Sequence, residues 1–486
     1  MTGAMKAWAV LFVALAGAAT GCSRASARDG EILPGRTRPL LEHDWKHPRD
    51  LPIGANHFQP PDPKASSMTT AAGLRAYVIP ASDDRVVQIV AAVPLGRSLE
   101  QANEAGVSEL LSRVFFQQIS DRLGDVFAGR VQVEQDVDLT RVTVTTLADD
   151  WRQGLSALVG ALRQPRLDAA AIDSFRTGPG YARQTRGLGG AGFRPAVELA
   201  RLMAEYPLAP PEPGLTLRRE AVGGVVSRSL RPDAIVIGIG GGLTRADALE
   251  ELESLTSGWR AGAVANAATV ADGALKRSTE RVRTVDEPGF TTWIAIGHPI
   301  PAIAPADEAA VAVMTDVLNI RLNIAVREIR GLANQAVLQM PTTTRHGGLL
   351  HIRSGARPES IAPVIVYSRQ ELSRIREASG LPTSDELEQV KGGLVLGKWQ
   401  GSLDGARAAS ATYAVETVHQ GSLDRLLKWP DAVRAVTAQQ VKAAAAKYVH
   451  PDQFGTVLIG QIDKARAARH PRWPAALDEV LAGRGR

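Results

Sequence analysis

Cysteine and concentrated charge are the two features that this chain of 486 residues largely lacks. Its single cysteine, Cys22, excludes an intramolecular disulfide and a cysteine-based zinc ribbon. The 56 Lys and Arg residues exceed the 51 Asp and Glu residues by only five, and no run of five basic residues occurs. Such dilute charge argues against nucleic-acid binding. Hydrophobic residues at 44% and charged residues at 22% also exclude wholesale disorder, collagen-like structure and a coiled coil.

Residues 1–22 have the pattern of a lipoprotein signal peptide. Lys6 precedes a short apolar stretch and then small residues, and the stretch falls short of the roughly twenty residues that a membrane span needs. The segment Ala19-Thr20-Gly21-Cys22 resembles a bacterial lipobox, in which the cysteine is lipidated; an ordinary signal peptide is the alternative. Because Ser23 rather than Asp follows Cys22, we expect a lipid anchor in the bacterial cell envelope, on the periplasmic side of the outer membrane.

Residues 23–67 contain seven prolines and no sustained apolar periodicity, which predicts a tether or an arm lying on the folded body. His43 and His47 imitate the zinc-peptidase pattern His-Glu-x-x-His, with Asp44 in place of Glu. That pattern requires a helix, and Pro48 with its neighbouring prolines opposes one. A hydrolase that uses these histidines is therefore the least favoured alternative.

The remainder of the chain repeats one order of elements, which predicts two like domains, 68–268 and 286–486, joined by a polar linker, 269–285. In each half a strand-like run leads through a proline into a helix; the two helix starts, Glu104 and Glu308, lie 204 residues apart. A second strand and a long amphipathic helix follow, and each half closes with a Pro-Asp turn and an apolar strand, at 232–238 and 451–460. The repeat predicts an α+β fold of two homologous two-layer α/β-sandwich domains.

The glycine-rich run 238–242 has two interpretations. It follows a strand and precedes a helix, as a dinucleotide-binding loop would, but Leu243 occupies the position of the third glycine and no phosphate-binding Gly-Lys-Ser/Thr follows. A plain turn after the terminal strand is the favoured interpretation.

The helix predicted over 104–118 is central to function. One face carries an apolar stripe at helical spacing: Val107, Leu110, Leu111, Val114 and Phe115. The opposite side carries Glu109, Ser112 and Arg113, also spaced i, i+3 and i+4, so the three side chains can point together into a cleft.

Together these segments resemble the insulinase/pitrilysin metallopeptidase family, which includes the mitochondrial processing peptidases. Residues 73–80 are similar to its opening strand, 105–116 to its zinc helix and 285–290 to the start of its second half. Residues 327–333 and 435–441 resemble two further signatures. The resemblance covers about residues 67–465 and implies the family's two-domain peptidase fold.

The resemblance also implies that the catalytic site is lost. Family enzymes carry His-x-x-Glu-His on this helix, and the matching positions here are Glu109, Ser112 and Arg113. A permanently protonated guanidinium offers zinc no lone pair, and a hydroxyl cannot act as the general base. The family's third ligand, a glutamate further along, has no counterpart, because no Glu occurs between Glu134 and Glu198, where glycines and a proline replace the expected helix. No metal or cofactor is therefore expected in this chain.

Family members also place an Arg and, seven residues later, a Tyr in the second domain to bind substrate and stabilise the tetrahedral intermediate. Arg327 matches the Arg, whereas Asn334 stands at the Tyr position. In two-subunit forms one subunit supplies zinc and the other contributes this pair. The alternative is an ordinary helix-end arginine paired with Glu328 or with solvent, and the histidines outside the tether are expected to be structural.

The sequence thus predicts a non-catalytic, lipid-anchored subunit that encloses unfolded peptides together with a zinc-bearing homologue. The alternative is a stand-alone peptide-binding or scaffolding lipoprotein without an enzymatic partner.

Overall fold

A computed structural model of the chain describes residues 58–124, 129–168, 192–205, 208–209, 217–260, 280–341, 345–473 and 476–483. The predicted signal peptide, Cys22, and the tether histidines His43 and His47 lie outside these residues. After a helical turn, Pro63–Ser66, the chain enters its first strand.

The first half of the fold is built on a six-stranded sheet with the order β1-β2-β6-β3-β5-β4. Strands β2 and β6 run parallel, and every other neighbouring pair is antiparallel. The β-branched run of β3 is almost entirely buried, as expected for a strand at the centre of a covered sheet. The strands are β1 (Ser67–Thr69), β2 (Arg75–Pro80), β3 (Val86–Val93), β4 (Arg130–Gln135), β5 (Thr140–Leu147) and β6 (Val236–Gly241).

The second half carries a five-stranded sheet with the order β7-β11-β8-β10-β9. Its single parallel pair is β7 with β11, and the remaining pairs are antiparallel. This sequence of pairings repeats that of β2-β6-β3-β5-β4, so the internal duplication and the α+β sandwich class are confirmed. The strands are β7 (Val282–Asp286), β8 (Thr292–Ile300), β9 (Ala333–Gln339), β10 (Gly348–Ala356) and β11 (Gly455–Gly460).

Helices pack on both sheets and supply half or more of the residues in each of the two large apolar cores. Several begin with local caps: the Thr244 hydroxyl accepts from the Asp247 amide, and Thr383 and Thr437 each form a capping box. The helices are α1 (Val107–Leu123), α2 (Trp151–Arg163), α3 (Arg194–Met203), α4 (Arg219–Ser229), α5 (Arg245–Thr256), α6 (Glu308–Asn323), α7 (Ile361–Arg374), α8 (Ser384–Gly392), α9 (Ala406–Gln420), α10 (Asp424–Ala435), α11 (Ala438–Tyr448), α12 (Ile462–Ala467) and α13 (Leu477–Leu481).

Helix α6 with its flanking turns, Pro305–Glu328, is long and apolar enough by length and composition to cross a membrane. Half of the 18-residue apolar window within that stretch is buried in the protein, and Val313, Met314 and Leu318 are fully inaccessible. These contacts identify α6 as the core helix of the second half.

The two halves exchange one helix each. Helix α9 of the second half packs on β2, β3 and β6 of the first sheet, and α3 of the first half packs on β8, β10 and β11 of the second. Tyr77 helps to hold α9 in place, because its hydroxyl lies 2.9 Å from the Thr417 hydroxyl and its ring meets Tyr413 edge to face. This reciprocal exchange makes each half dependent on the other for one covered face of its sheet.

The exchange explains the glycine run, and the predicted turn at 238–242 is wrong for its first part. Gly238 and Gly240 lie inside strand β6, where a Cβ atom would stand 2.1 Å from the Ser410 carbonyl oxygen and 2.2 Å from that of Ala406. Their missing side chains therefore let the backbone of α9 approach the strand.

Two predicted boundaries also shift. The helix predicted at 104–118 is Val107–Leu123, because Gly106 has φ of 90°, which a helix does not accommodate, and residues 102–104 form a separate 3₁₀ turn. The polar segment predicted as a linker over 269–285 ends in strand β7, which is hydrogen-bonded parallel to β11; residues 261–279 lie outside the described part.

Candidate functional site

The helix that carries the family-like positions begins on a buried carboxylate. Glu100, only 6% exposed, accepts hydrogen bonds from the amides of Gly106 (2.9 Å) and Ser108 (2.5 Å). Burial raises the pKa of Glu100, while these bonds and nearby Arg97 act to lower it. The carboxylate satisfies amides that the first turn of α1 would otherwise leave without acceptors.

Glu109 and Arg113 occupy two of the three family positions and pair with each other. The Arg113 guanidinium donates to Glu109 Oε1 at 2.7 Å, one helical turn away, and the two side chains are 29% and 21% exposed. A pair at this spacing is the ordinary i, i+4 arrangement on a helix. The carboxylate that could have met a cation from solvent is already bound to a guanidinium.

Ser112 stands apart from that pair, in the interior of the first half. It is 9% exposed, its hydroxyl donates to the Ser108 carbonyl at 2.8 Å, and it lies 3.4 Å from the Thr140 hydroxyl. The structure therefore brings Glu109 and Arg113 together at the surface of the helix, and turns the serine toward β5. The three side chains do not converge on one point.

Glu109, Ser112 and Arg113 do not make up a zinc-ligand set. Zinc requires neutral imidazoles, thiolates or carboxylates around one point, whereas here a fixed positive charge lies beside the one carboxylate. Among the described residues, no group of three or more His, Cys, Asp or Glu side chains is placed to hold a metal ion. The segment where the family's third ligand was sought, 169–191, lies outside the described part. The next glutamate, Glu198 on α3, is paired with Arg201 at 2.8 Å and Arg283 at 3.3 Å.

Arg327 and Asn334, the predicted substrate-binding positions, lie on either side of a turn in the second half. Arg327 is in a π-helical turn, Ile324–Glu328, that continues α6; its side chain is 60% exposed and lies 3.3 Å from Glu328. Asn334 is exposed near the start of edge strand β9. Both side chains are open to a second molecule.

A cavity of about 460 Å³ lies between the two halves. Its walls come from the β4–β5 connection, from α3, and from β9, β10 and α9. Phe193 and Val197 contribute apolar surface, while Asp136, His351 and His419 contribute polar groups. Burial lowers the pKa of His351 to about 4, so its imidazole is neutral at pH 7.

Sequence reasoning missed the most buried polar contact at this cavity. Asp138 accepts from the Ser98 hydroxyl at 2.6 Å and from His346 Nε2 at 2.8 Å, so it connects the first half to the second. The sequence predicted a structural role for His346 but did not predict its carboxylate partner. The two residues are 208 positions apart, and no local pattern in the sequence relates them.

Part of the chain is similar to a known protein family. Residues 217–394 match the family model described as the peptidase M16 inactive domain, a stretch that follows the α1 positions. No curated protein matches the chain.

Three solved structures share the fold at low sequence identity. A peptidase M16 inactive domain from Pseudomonas fluorescens has a TM-score of 0.64 at 18% identity, covering 83% of this chain and 98% of its own. A protease from Helicobacter pylori has a TM-score of 0.65 at 16% sequence identity, and the match covers 81% of this chain and 98% of the protease. A protein described as an M16-like peptidase, from Alicyclobacillus acidocaldarius, has a TM-score of 0.65 at 13% sequence identity. The match covers 81% of this chain and 97% of that protein.

Proposed function

We propose that the chain is a degenerate member of the insulinase-type, or M16, peptidase family and acts as a non-catalytic, lipid-anchored subunit. The match of residues 217–394 to the inactive-domain model and the shared fold support this. The chain would form half of a peptide-enclosing chamber, and a zinc-bearing homologue would form the other half. The observation that carries this proposal is the pairing of Arg113 with Glu109 at the positions where the family holds zinc.

Two sheet edges support a role in binding extended peptides. Among the described residues, β4 pairs only with β5, and β9 pairs only with β10. The residues of β4 are all exposed or half-buried. An edge strand presents unpaired backbone amides and carbonyls to which an extended peptide can add. Strand addition would bind peptides with little dependence on their side chains, as a chamber for unfolded segments requires.

Arg327 supports the partnership with an active subunit. Its guanidinium is exposed, and the one ion pair that it forms with the described residues is a surface pair with Glu328, which costs little to break. In a heterodimer this side chain would reach the partner's bound peptide, and Asn334 would offer an amide donor nearby. The lipobox at Cys22 would place the assembly at the periplasmic face of the outer membrane.

Purification from the native host tests the proposal. The expected result is a heterodimer with a homologue that carries intact His-x-x-Glu-His and bound zinc. Recovery of the chain only as a monomer, with no zinc-bearing relative, would reject the chamber.

The Arg327→Ala variant then tests the contribution to the partner's site. We expect the zinc-bearing assembly to form normally but to cleave peptide at least about tenfold more slowly, the loss typical of one transition-state hydrogen bond to a charged group. The matched Glu328→Ala variant removes the same ion pair and should leave the rate unchanged.

The alternative, a stand-alone peptide-binding lipoprotein, rests on one observation: both halves of this chain contribute walls to the 460 Å³ cavity. Peptide binding by the isolated chain, with no co-purifying homologue, would select this alternative over the heterodimer.

A further inference from the structure

A second cavity, of about 410 Å³, lies among helices α6, α9 and α10 and the helical segment Gly393–Gln400 that follows α8. Its volume is in the range of small-molecule sites in proteins. Ile303, Val311, Leu394 and Leu426 line it with aliphatic surface, and Trp399 and Trp429 add two indole rings. The cavity belongs to the second half alone and does not involve the α1 positions.

One arginine at this cavity is shared between two carboxylates. Arg425 donates from Nη1 to Glu308 Oε1 at 2.6 Å and from Nε to Glu416 Oε1 at 3.0 Å. The Glu308 and Glu416 side chains are only 10% and 12% exposed. Within the described part of the chain, the second oxygen of each carboxylate has no hydrogen-bond donor. One guanidinium therefore pairs with two partly buried carboxylates.

The remaining charges around the cavity cancel. Lys398 pairs with Asp316 at 2.8 Å, so the lining as a whole carries one uncompensated negative charge. Burial raises the pKa of Glu308; Arg425 opposes that effect and the neighbouring charge of Glu416 adds to it. An additional cation in this position would relieve the repulsion between the two acids.

We infer that this cavity binds an organic cation with an apolar body, such as an arylalkyl or alkyl ammonium. The ammonium would donate to the second carboxylate oxygens of Glu308 and Glu416, and the apolar body of the ligand would lie against the aliphatic walls and the indoles. The Trp399 N–H donates to the Leu426 carbonyl oxygen at 2.8 Å, and indole rings are the aromatic groups that cations contact most favourably. An adjoining cavity of about 350 Å³ shares Glu308, Arg425 and Trp429 but adds Lys428. Because Lys428 brings a further positive charge, an organic cation is favoured in the 410 Å³ cavity and not in this one.

The inference does not depend on the proposed peptidase partnership, and calorimetric titration of the purified full-length chain tests it. Three probes share a phenyl body and differ in the head: phenethylamine, 2-phenylethanol and 3-phenylpropionate. We expect the amine to bind about tenfold more tightly than the alcohol, the ratio that corresponds to one added charge-assisted hydrogen bond, and the carboxylate not to bind. Equal binding of the amine and the alcohol, or preferential binding of the carboxylate, would overturn the inference.

The Glu416→Gln variant tests whether the amine binds in this cavity. It removes the one uncompensated negative charge of the lining without changing the shape of the side chain, and it leaves Arg425 paired with Glu308. The affinity for phenethylamine should fall about tenfold while that for 2-phenylethanol stays the same. Glu220→Gln on the exposed face of α4 is the matched control and should change neither. If Glu416→Gln folds normally in a thermal melt and binds the amine as tightly as the unmodified chain, the cavity is not the binding site.

Discussion

His346 and Asp138 form a buried ion pair that joins the two halves of the fold. His346 Nε2 lies 2.8 Å from Asp138 Oδ1, and Nδ1 lies 2.6 Å from the Gly347 carbonyl oxygen. Since a carboxylate and a carbonyl oxygen can only accept, both bonds form together only when both ring nitrogens carry a proton. Burial alone would lower the pKa of His346, but the bonds to Asp138 and Gly347 outweigh it, so the pKa is raised above 6.5.

The pair predicts a pH-dependent stability. A pKa raised on folding contributes stability that is fully present below about pH 6.5 and is lost as pH rises through the folded pKa. Asp138→Asn should therefore lower the free energy of unfolding by about 2 kcal/mol or more at pH 6, as loss of a buried charged partner does, and by less at pH 9. Urea denaturation at the two pH values measures both effects.

The exposed Asp83→Asn exchange is the control for this series and should change stability at neither pH. An Asp138→Asn penalty that grew toward pH 9 would contradict a protonated His346.

The close packing of helix α9 on strand β6 predicts that one methyl group added at Gly238 will strongly destabilise the fold. Gly238→Ala would bring a Cβ atom to 2.1 Å from the Ser410 carbonyl oxygen, so α9 must shift away from β6. We expect a loss of about 3 kcal/mol, at the upper end of typical overpacking costs, in thermal or urea denaturation.

Gly223→Ala provides the matched control, because Gly223 lies within helix α4 and nothing stands within 4 Å of its added Cβ. This variant should gain about 0.5–1 kcal/mol through better helix propensity. Equal effects of the two exchanges would show that α9 does not press on the strand.

A second ion pair predicts acid sensitivity in the second half. Arg321 donates to both oxygens of Glu386, at 2.7 and 2.8 Å, which lowers the pKa of Glu386 from 4.5 to about 2. A lowered pKa gives stability that is present above about pH 4.5 and is lost as pH falls toward 2.

Glu386→Gln tests this pair. It should cost about 1 kcal/mol at pH 7, a value discounted because the carboxylate is partly solvated, and the cost should shrink as pH falls below 4.5. The exposed Glu388→Gln exchange should have no comparable effect. A penalty that is constant from pH 7 to pH 2 would mean that the ion pair is not its source.

The sequence predicts local structure well because local structure follows from short-range patterns. The buried run at β3 and the apolar stripe of α1 are visible as spacing, and the repeated order of strands revealed the duplication. The start of α1 was misplaced because it depends on Glu100, six positions before Gly106, and on the backbone of that glycine.

Contacts between distant parts of the chain were not predictable in this way. The glycines of β6 serve a helix more than 160 positions later, so a local view could read them only as a turn or a loop. The same holds for Asp138 with His346, and for the sharing of Arg425 between Glu308 and Glu416. Each depends on which elements the folded chain brings together.

Metal content and peptidase activity of the purified full-length chain together test the central claim most directly. We predict less than stoichiometric zinc after dialysis into zinc-containing and then metal-free buffer, and no cleavage of unfolded peptides without a partner. Stoichiometric zinc, with cleavage that is lost on changing Glu109 to Ala, would contradict the proposal that the Glu109–Arg113 ion pair stands where family enzymes bind zinc.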